Sequence, residues 1–309
     1  MTVRIITHAG PFHCDDVFAV AVLHQVYPEA EIIRTRDREV LAAGLENPDT
    51  VLVDVGYVFD PVKGAFDHHQ PNKPEPRPNG VPYSSFGLIW LAYGVDFAYA
   101  KIHVDASYTG IVDGVDKMLV QGIDAVDNGA VSGDRPVLKG TDEKLRIKSV
   151  SEVISLFNPA PGVEEEDFDS AFMMAVEVAT KILTRQVMSA WGFIQAEQLV
   201  VSGYRSEDRM LVLNKFVPWQ EHAATHCPEA LYCVFPQSDT GWMVQCVPVS
   251  PGSFTSKKLL PSPWAGLRDE QMAEVTGVAD SVFCHTGRFI CGAKSFEGAM
   301  ALATLALNA

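Results

Sequence analysis

No stretch of this 309-residue chain approaches the ~18–20 consecutive apolar residues that a membrane-spanning helix needs, so a membrane is not an expected partner. The opening MTVRIITHAGPFH also lacks the charged-then-apolar layout of a secretory signal. Cysteine is sparse. Cys14, Cys227, Cys233, Cys246, Cys284 and Cys291 form no C-x-x-C pair and no zinc-ribbon spacing, so reduced thiols in a cytoplasmic protein are expected. Positive charge is scarce as well. With 24 Lys and Arg against 39 Asp and Glu, the net charge is −15, the reverse of the basic surface that duplex nucleic acid binding uses. Duplex DNA is therefore not expected. An acidic protein that handles phosphates needs local positive charge, from metal ions, a few Lys or Arg, or helix N-termini. Low-hydrophobicity, high-charge segments are missing too: 47% of residues are apolar and 20% charged, enough for a substantial core.

The patterning that is present predicts an α/β protein. Val3–Thr7 is a short β-rich run, Asp16–Val26 carries apolar residues at helical spacing, and Ala30–Arg36 is strand-like again. Thr50–Val55 is β-branched and apolar except for Asp54, which is how a strand buried on both faces reads. A mostly parallel sheet with helices on both faces follows. Five prolines between Pro71 and Pro82 exclude a helix there. Helical patterns resume at Ser84–Tyr93, Tyr108–Val126 and Phe168–Gln198. The polar, turn-rich Ser202–Asp208 suggests a boundary, giving domains of residues 1–200 and 201–309. The second domain is expected to be a smaller α/β unit. It carries strand-like runs at Met210–Leu213, Leu231–Phe235 and Trp242–Val249. It ends in a strand (Ser281–His285), a glycine-bearing link and a helix (Ser295–Asn308).

Carboxylates and imidazoles concentrate in the first half. His8, His13, Asp15 and Asp16 follow the first strand, Asp54 ends the third, and Asp67-His68-His69 and Asp124-Ala-Val-Asp127 come later. In a doubly wound sheet the carboxyl ends of the strands face one crevice, where ligands bind. Nitrogen and carboxylate donors without thiolate suit Mn²⁺, Mg²⁺, Fe²⁺ or Zn²⁺. Two such ions bridged by a carboxylate form the usual clamp for phosphoryl chemistry. Each piece alone has an ordinary structural explanation. Asp15 and Asp16 suit helix caps, His8 a hydrogen-bonded core histidine, and Asp127-Asn-Gly a turn. Asp54 is the exception, because an ionised aspartate in a buried strand is costly unless paired or metal-bound.

In order, THAGPFHCDD, VDVG, FDHHQ, AVDNG, PWAGLRDE and FEGA resemble the DHH phosphoesterase superfamily. Within it they are most similar to the metal-dependent hydrolase family named for the melanocyte proliferating gene product, over nearly the whole chain. The resemblance implies a DHH-type catalytic domain, a C-terminal substrate-binding domain and two metal ions, commonly Mn²⁺. His8, His13 and Asp15 would serve the first ion, Asp54 would bridge, and His68 and Asp127 would serve the second. His69 would face the phosphate, and Asp67 would orient an imidazole. The superfamily usually has an aspartate where His13 stands, in a motif one residue shorter, so Asp16 and Asp124 are alternative ligands.

At the C-terminal end the strand-to-helix link suggests an anion site on the helix N-terminus, with His285, Arg288 and Lys294 around it. Arg268, Lys73 and Arg77 are further cationic candidates. The expected activity is two-metal hydrolysis of phosphodiester bonds in RNA or short oligonucleotides, exonuclease-like, through a metal-activated water. Single-stranded RNA is the expected macromolecular substrate, and a homo-oligomer is compatible with the sequence. A phosphoanhydride or small phosphomonoester hydrolase on the same metals is the enzymatic alternative. A non-catalytic, metal-stabilised binding protein is the other.

Overall fold

The computed structural model describes residues 2–103, 108–131, 140–145, 147–160, 162, 167–237 and 241–309. The chain divides into two compact units, residues 1–190 and 191–309.

The first unit is built on a five-stranded sheet. Its strands are β1 (Arg4–Thr7), β2 (Glu31–Arg34), β3 (Thr50–Val53), β4 (Phe59–Asp60) and β5 (Ala65–Phe66), in the order β2-β1-β3-β5-β4. All neighbours are parallel except the β4–β5 pair. In this register Ile6 lies beside Leu52 and Ile5 beside Val51, so the two residue sets face opposite sides of the sheet. Ile6, Leu52 and Val55 pack with Leu41 of helix α2 (Arg38–Leu45) on one side. On the other side lie α1 (Cys14–Val26) and α3 (Ser85–Lys101), joined by contacts such as Phe18 against Phe86 at 5.2 Å. Every residue of α1 from Cys14 to Leu23 is buried, as its apolar composition on all faces requires.

One consequence of the parallel register positions the site. β1, β3 and β5 all end at the same edge, and the next residues are His8, Asp54 and Asp67. Helix α1 starts on that edge with Asp15 and Asp16 in its first turn.

The stretch expected as one helix from Tyr108 to Val126 is interrupted. It forms α4 (Thr109–Val115), a π turn (Asp116–Val120) and α5 (Gln121–Asp127). A short α6 (Val150–Ser155) and the 36-residue α7 (Phe168–Gly203) follow, and the division between the units falls inside α7.

The second unit carries a six-stranded sheet. β6 (Tyr204–Arg205), β7 (Met210–Val212), β8 (Tyr232–Gln237), β9 (Gly241–Cys246), β10 (Ser281–Cys284) and β11 (Ile290–Ala293) run in the order β10-β11-β9-β8-β7-β6. Only β7 and β8 are parallel neighbours. Alternate residues of β8 serve two cores. Tyr232 and Val234 pack with Ala299, Leu302 and Ala306 of α10 (Phe296–Asn308), whereas Cys233 and Phe235 pack with Trp219 and Met243. Helices α8 (Gln220–His226) and α9 (Asp269–Thr276) complete the unit.

The expected glycine-bearing link after Ser281–His285 is a strand instead. Ile290–Ala293 forms β11 and pairs on both sides, with β9 and β10. A Cβ at Gly292 would stand 3.0 Å from Met243 Cε, so the glycine makes room for a cross-strand neighbour. All six cysteines are free and buried, and among the described residues no helix is long and apolar enough to cross a membrane.

Candidate metal centre

Asp54 is the hub. Its backbone is left-handed (φ 58°), a costly conformation for a non-glycine residue, and its amide donates to the Phe66 carbonyl at 3.2 Å. The two carboxylate oxygens then serve different partners. Oδ2 is 3.4 Å from His8 Nε2. Oδ1 is 3.4 Å from His68 Nε2 and 3.4 Å from His69 Nδ1, and it accepts the Ser85 hydroxyl at 3.0 Å.

The other donors gather around it. His68 Nε2 is 3.3 Å from Asp127 Oδ2 and 3.9 Å from Asp15 Oδ2. One ligand atom each from His8, His13 and Asp54 lie within 4.8 Å of one another. The same is true of Asp54, His68 and His69, and of His13, Asp15 and Asp127. Thus His8, His13, Asp15, Asp54, His68, His69 and Asp127 are all brought together. Asp16 is there as well, with Oδ2 3.1 Å from His8 Nε2 and Oδ1 accepting the amides of His13 and Val17 at 2.9 Å each.

Asp67 works behind this group. Its Oδ1 accepts His69 Nδ1–H at 2.8 Å and the His69 amide at 3.0 Å, while Oδ2 accepts the Tyr57 amide at 2.6 Å. The imidazole that Asp67 orients is therefore that of His69, whose ring is half exposed.

Does this chemistry fit cations? Asp15 is fully buried, yet among the described residues neither of its oxygens accepts a hydrogen bond, and His68 Nδ1 is likewise buried without a partner among them. Leaving carboxylates this way costs several kcal/mol unless positive charge neutralises them. With protein groups alone, protons supply that charge. Burial by itself would lower His8 and His68, but their carboxylate partners outweigh it and both are raised. Burial drives Asp15 well up, reinforced by the charges of Asp54 and Asp127. Burial also raises Asp16. Asp54 goes the other way: burial favours its neutral form, but the His68 hydrogen bond and the charges of His8, His69 and His68 hold it down. Divalent cations satisfy all these carboxylates at once, and nitrogen and oxygen donors suit Mn²⁺, Mg²⁺, Fe²⁺ or Zn²⁺. Cys14 lies nearby, but burial pushes its thiol far up, so a thiolate ligand is disfavoured.

Asp124, considered as an alternative ligand, belongs elsewhere. Its Oδ1 accepts Ser84 O–H at 2.6 Å and Gly87 N–H at 3.0 Å, and its Oδ2 pairs with Arg77 at 2.8 Å. Arg77, proposed from sequence as a substrate cation, is only 5% exposed; it also pairs with Asp116 at 2.6 Å and lies over the Tyr83 ring. Burial of a residue in a proline-rich loop has no local sequence signal. Lys73 lines a cleft at the centre together with His68, His69, Asp127 and Asn128, and its Nζ donates to Asn128 Oδ1 at 3.4 Å.

In the second unit, the N-terminus of α10 is already served by a carboxylate of this chain. Asp280 Oδ2 accepts the amide and hydroxyl of Ser295 at 2.8 and 2.5 Å, and Ser295 Oγ accepts Gly298 N–H at 3.0 Å. The amides of the expected link belong to β11. Arg288 is spent on the Leu260 carbonyl (3.3 Å) and Ser262 Oγ (2.6 Å), whereas His285, Lys294 and Arg268 have exposed side chains. A separate group, Glu197, His222 and His226, is held within that unit, with His222 Nε2 2.8 Å from the Phe193 carbonyl and His226 Nε2 3.3 Å from Glu197.

The chain is similar to known proteins over nearly its whole length. The chain is 32% identical over 330 residues to the MYG1 exonuclease of Homo sapiens, covering 98% of this chain and 85% of that one. It is 31% identical to MYG1 protein C694.04c of Schizosaccharomyces pombe, covering 99% and 98%. Among solved structures, RecJ of Thermus thermophilus in complex with Mn²⁺ overlaps at 14% identity and a TM-score of 0.30. That match covers 99% of this chain and 52% of RecJ, too loose a likeness to carry an argument. These relatives and this cluster define a metal-dependent hydrolase of the nuclease or phosphoesterase type. The model of the uncharacterised protein family UPF0160, the MYG1 exonuclease family, matches residues 4–307, and the chain belongs to that family.

Proposed function

We propose that the chain is a two-metal phosphodiesterase that shortens RNA or other short single-stranded oligonucleotides in exonuclease fashion. The observation that carries this reading is Asp54, whose two oxygens face His8 on one side and His68 on the other. That is the disposition a bridging carboxylate needs. His8, His13 and Asp15, with Asp16 behind His8, would hold one ion; His68 and Asp127 would hold the second; Mn²⁺ is favoured. Such ions, when bound, neutralise charge on phosphoryl oxygens and lower the pKa of water.

The protein's own groups do the rest. Asp67 fixes the His69 ring through Nδ1, so Nε2 is the nitrogen available to a substrate phosphate. Lys73 adds a cation beside Asp127. In the second unit, exposed His285, Lys294 and Arg268 are proposed as substrate-binding cations, while Arg288 holds its own loop. A cytoplasmic setting fits six buried free cysteines.

Metal analysis coupled to Mn²⁺-dependent hydrolysis of short RNA, bis-p-nitrophenyl phosphate and pyrophosphate tests the reading. About two ions per chain are expected, with diester cleavage lowered roughly a thousandfold or more in Asp54→Ala. His69→Ala should keep its metal and lose about a hundredfold in rate. Pyrophosphate cleavage without diester cleavage would replace this function with a phosphoanhydride hydrolase. Full metal and activity in Asp54→Ala would remove the bridge.

A further inference from the structure

A cleft of about 600 Å³ adjoins the Asp54 centre, and most of its wall has no role in holding ions. His8, His13, Asp54 and His69 line it together with apolar Leu41, Leu45 and Val55. Tyr57 and Arg38 line it as well.

Tyr57 is an unusual residue to find here. Its side chain is largely solvent-exposed, at 72% for the residue, while its backbone is left-handed at φ 56°, the second strained non-glycine residue within four positions. A large residue in that conformation is costly where glycine would be free of strain. Its amide is tied at 2.6 Å to Asp67, the same aspartate that fixes His69, and its ring lies 6.4 Å from the His69 ring, edge toward face. The ring is thus anchored at the rim of the metal centre with its surface open. Of the two arginines in the cleft, Arg36 is engaged with the Ala9 carbonyl (3.1 Å) and His8 Nδ1 (3.2 Å). Arg38 is exposed and has no hydrogen-bond or ion-pair partner among the described residues.

We propose that this cleft is a nucleoside subsite, in which a base of the substrate stacks on Tyr57 and Arg38 takes a flanking phosphate. An open aromatic ring and an unpaired guanidinium lining one cleft can hold single-stranded nucleic acid without a broad basic surface, which a net charge of −15 does not favour. Stacking accepts any base, so the subsite favours nucleotide chains over simple phosphates rather than one sequence over another. The proposal deepens the phosphodiesterase reading and rests on it for the identity of the ligand.

Binding, measured apart from turnover, tests it. Adenosine 5′-monophosphate and ribose 5-phosphate are titrated calorimetrically into Mn²⁺-loaded protein, so that their difference isolates the base. The nucleotide should bind about tenfold more tightly. Tyr57→Gly should erase that advantage, Tyr57→Phe should keep it, and Arg38→Ala should weaken both ligands alike. Tyr57→Gly should melt no lower than the parent protein, because glycine relieves the left-handed backbone, so lost affinity would not reflect a damaged fold. Equal affinities in the parent, or a nucleotide advantage that survives Tyr57→Gly, would overturn the subsite. A retained advantage in a protein that cleaves no diester would count against the phosphodiesterase reading alone.

Discussion

Two buried polar clusters lie in the first unit, and adjacent residues at the start of α3 serve them both. Ser84 donates to Asp124 in one, and Ser85 donates to Asp54 in the other. The Arg77 cluster closes on itself. Arg77 pairs with Asp116 and Asp124, Gln121 donates to Asp116 at 2.7 Å, and Ser84 with the Gly87 amide covers the remaining oxygen of Asp124. The Asp54 cluster does not close: among the described residues neither oxygen of Asp15 has a donor, whereas Asp124 has Ser84 and Gly87 on one oxygen and the Arg77 charge at 2.8 Å from the other. Burial and charge density alone do not mark a functional site. The mark is a buried carboxylate that, among the described residues, the chain supplies with neither a hydrogen-bond donor nor an arginine or lysine.

The sharpest way to break this comparison is to open the closed cluster. Arg77→Ala leaves Asp124 buried without its cation, and removing one partner of such a pair costs about 3–5 kcal/mol. Chemical denaturation should show that loss, while metal content per folded molecule stays at the parent value. Loss of metal in step with stability would mean that the two clusters are one.

A smaller effect comes from pH. Burial pushes Asp124 up to about 6, with Ser84 and Arg77 opposing the rise. A carboxyl raised above its unfolded pKa of about 3.9 favours the folded state at lower pH. That contribution is fully present below about pH 4 and is lost as pH climbs through about 6, by on the order of 2–3 kcal/mol. Asp124→Asn removes the titration. The stability of the parent relative to the variant should therefore fall as pH rises across that window; a constant difference would contradict the raised value.

The smallest expected effect has the opposite sign to the first. In chelator, Asp15→Asn deletes a buried carboxyl that burial and neighbouring charge already disfavour in its ionised form. It should stabilise the protein by about 1 kcal/mol. In Mn²⁺ the same variant should lose most of the ion-dependent gain in melting temperature. Destabilisation of the metal-free protein by Asp15→Asn would show that Asp15 is paired after all.

Most of the candidate centre was legible in the sequence because it follows from chain direction. Parallel strands end at a common edge, so His8 and Asp54, with His13 and Asp15 just beyond β1, are neighbours once β1 and β3 are strands of one sheet; Asp67–His69 and Asp127 enter only through the resemblance, because the two-residue β5 leaves no strand pattern in the sequence. The role of Arg77 was not legible, since pairing with Asp116 and Asp124 depends on how a proline-rich loop closes over a π turn. Tyr57 and Arg38 were missed because an exposed aromatic and a free arginine look ordinary in a string of letters. The αL signal that singles out Tyr57 exists only in the backbone. In sequence β11 reads as a link because glycine in Ile-Cys-Gly-Ala suggests a break, whereas in the sheet the glycine admits Met243.

The distribution of cysteines gives the molecule a built-in clock. Cys14 is the only thiol between residues 1 and 190, sits next to Asp15, and is 5% exposed; the other five lie in the second unit. Burial raises its pKa, so an alkylating reagent reaches it only when the start of α1 opens. The rate at which Cys14 is labelled, followed by mass spectrometry peptide by peptide, therefore records how often the metal-binding edge comes apart. The five other thiols in the same sample keep time for the second unit.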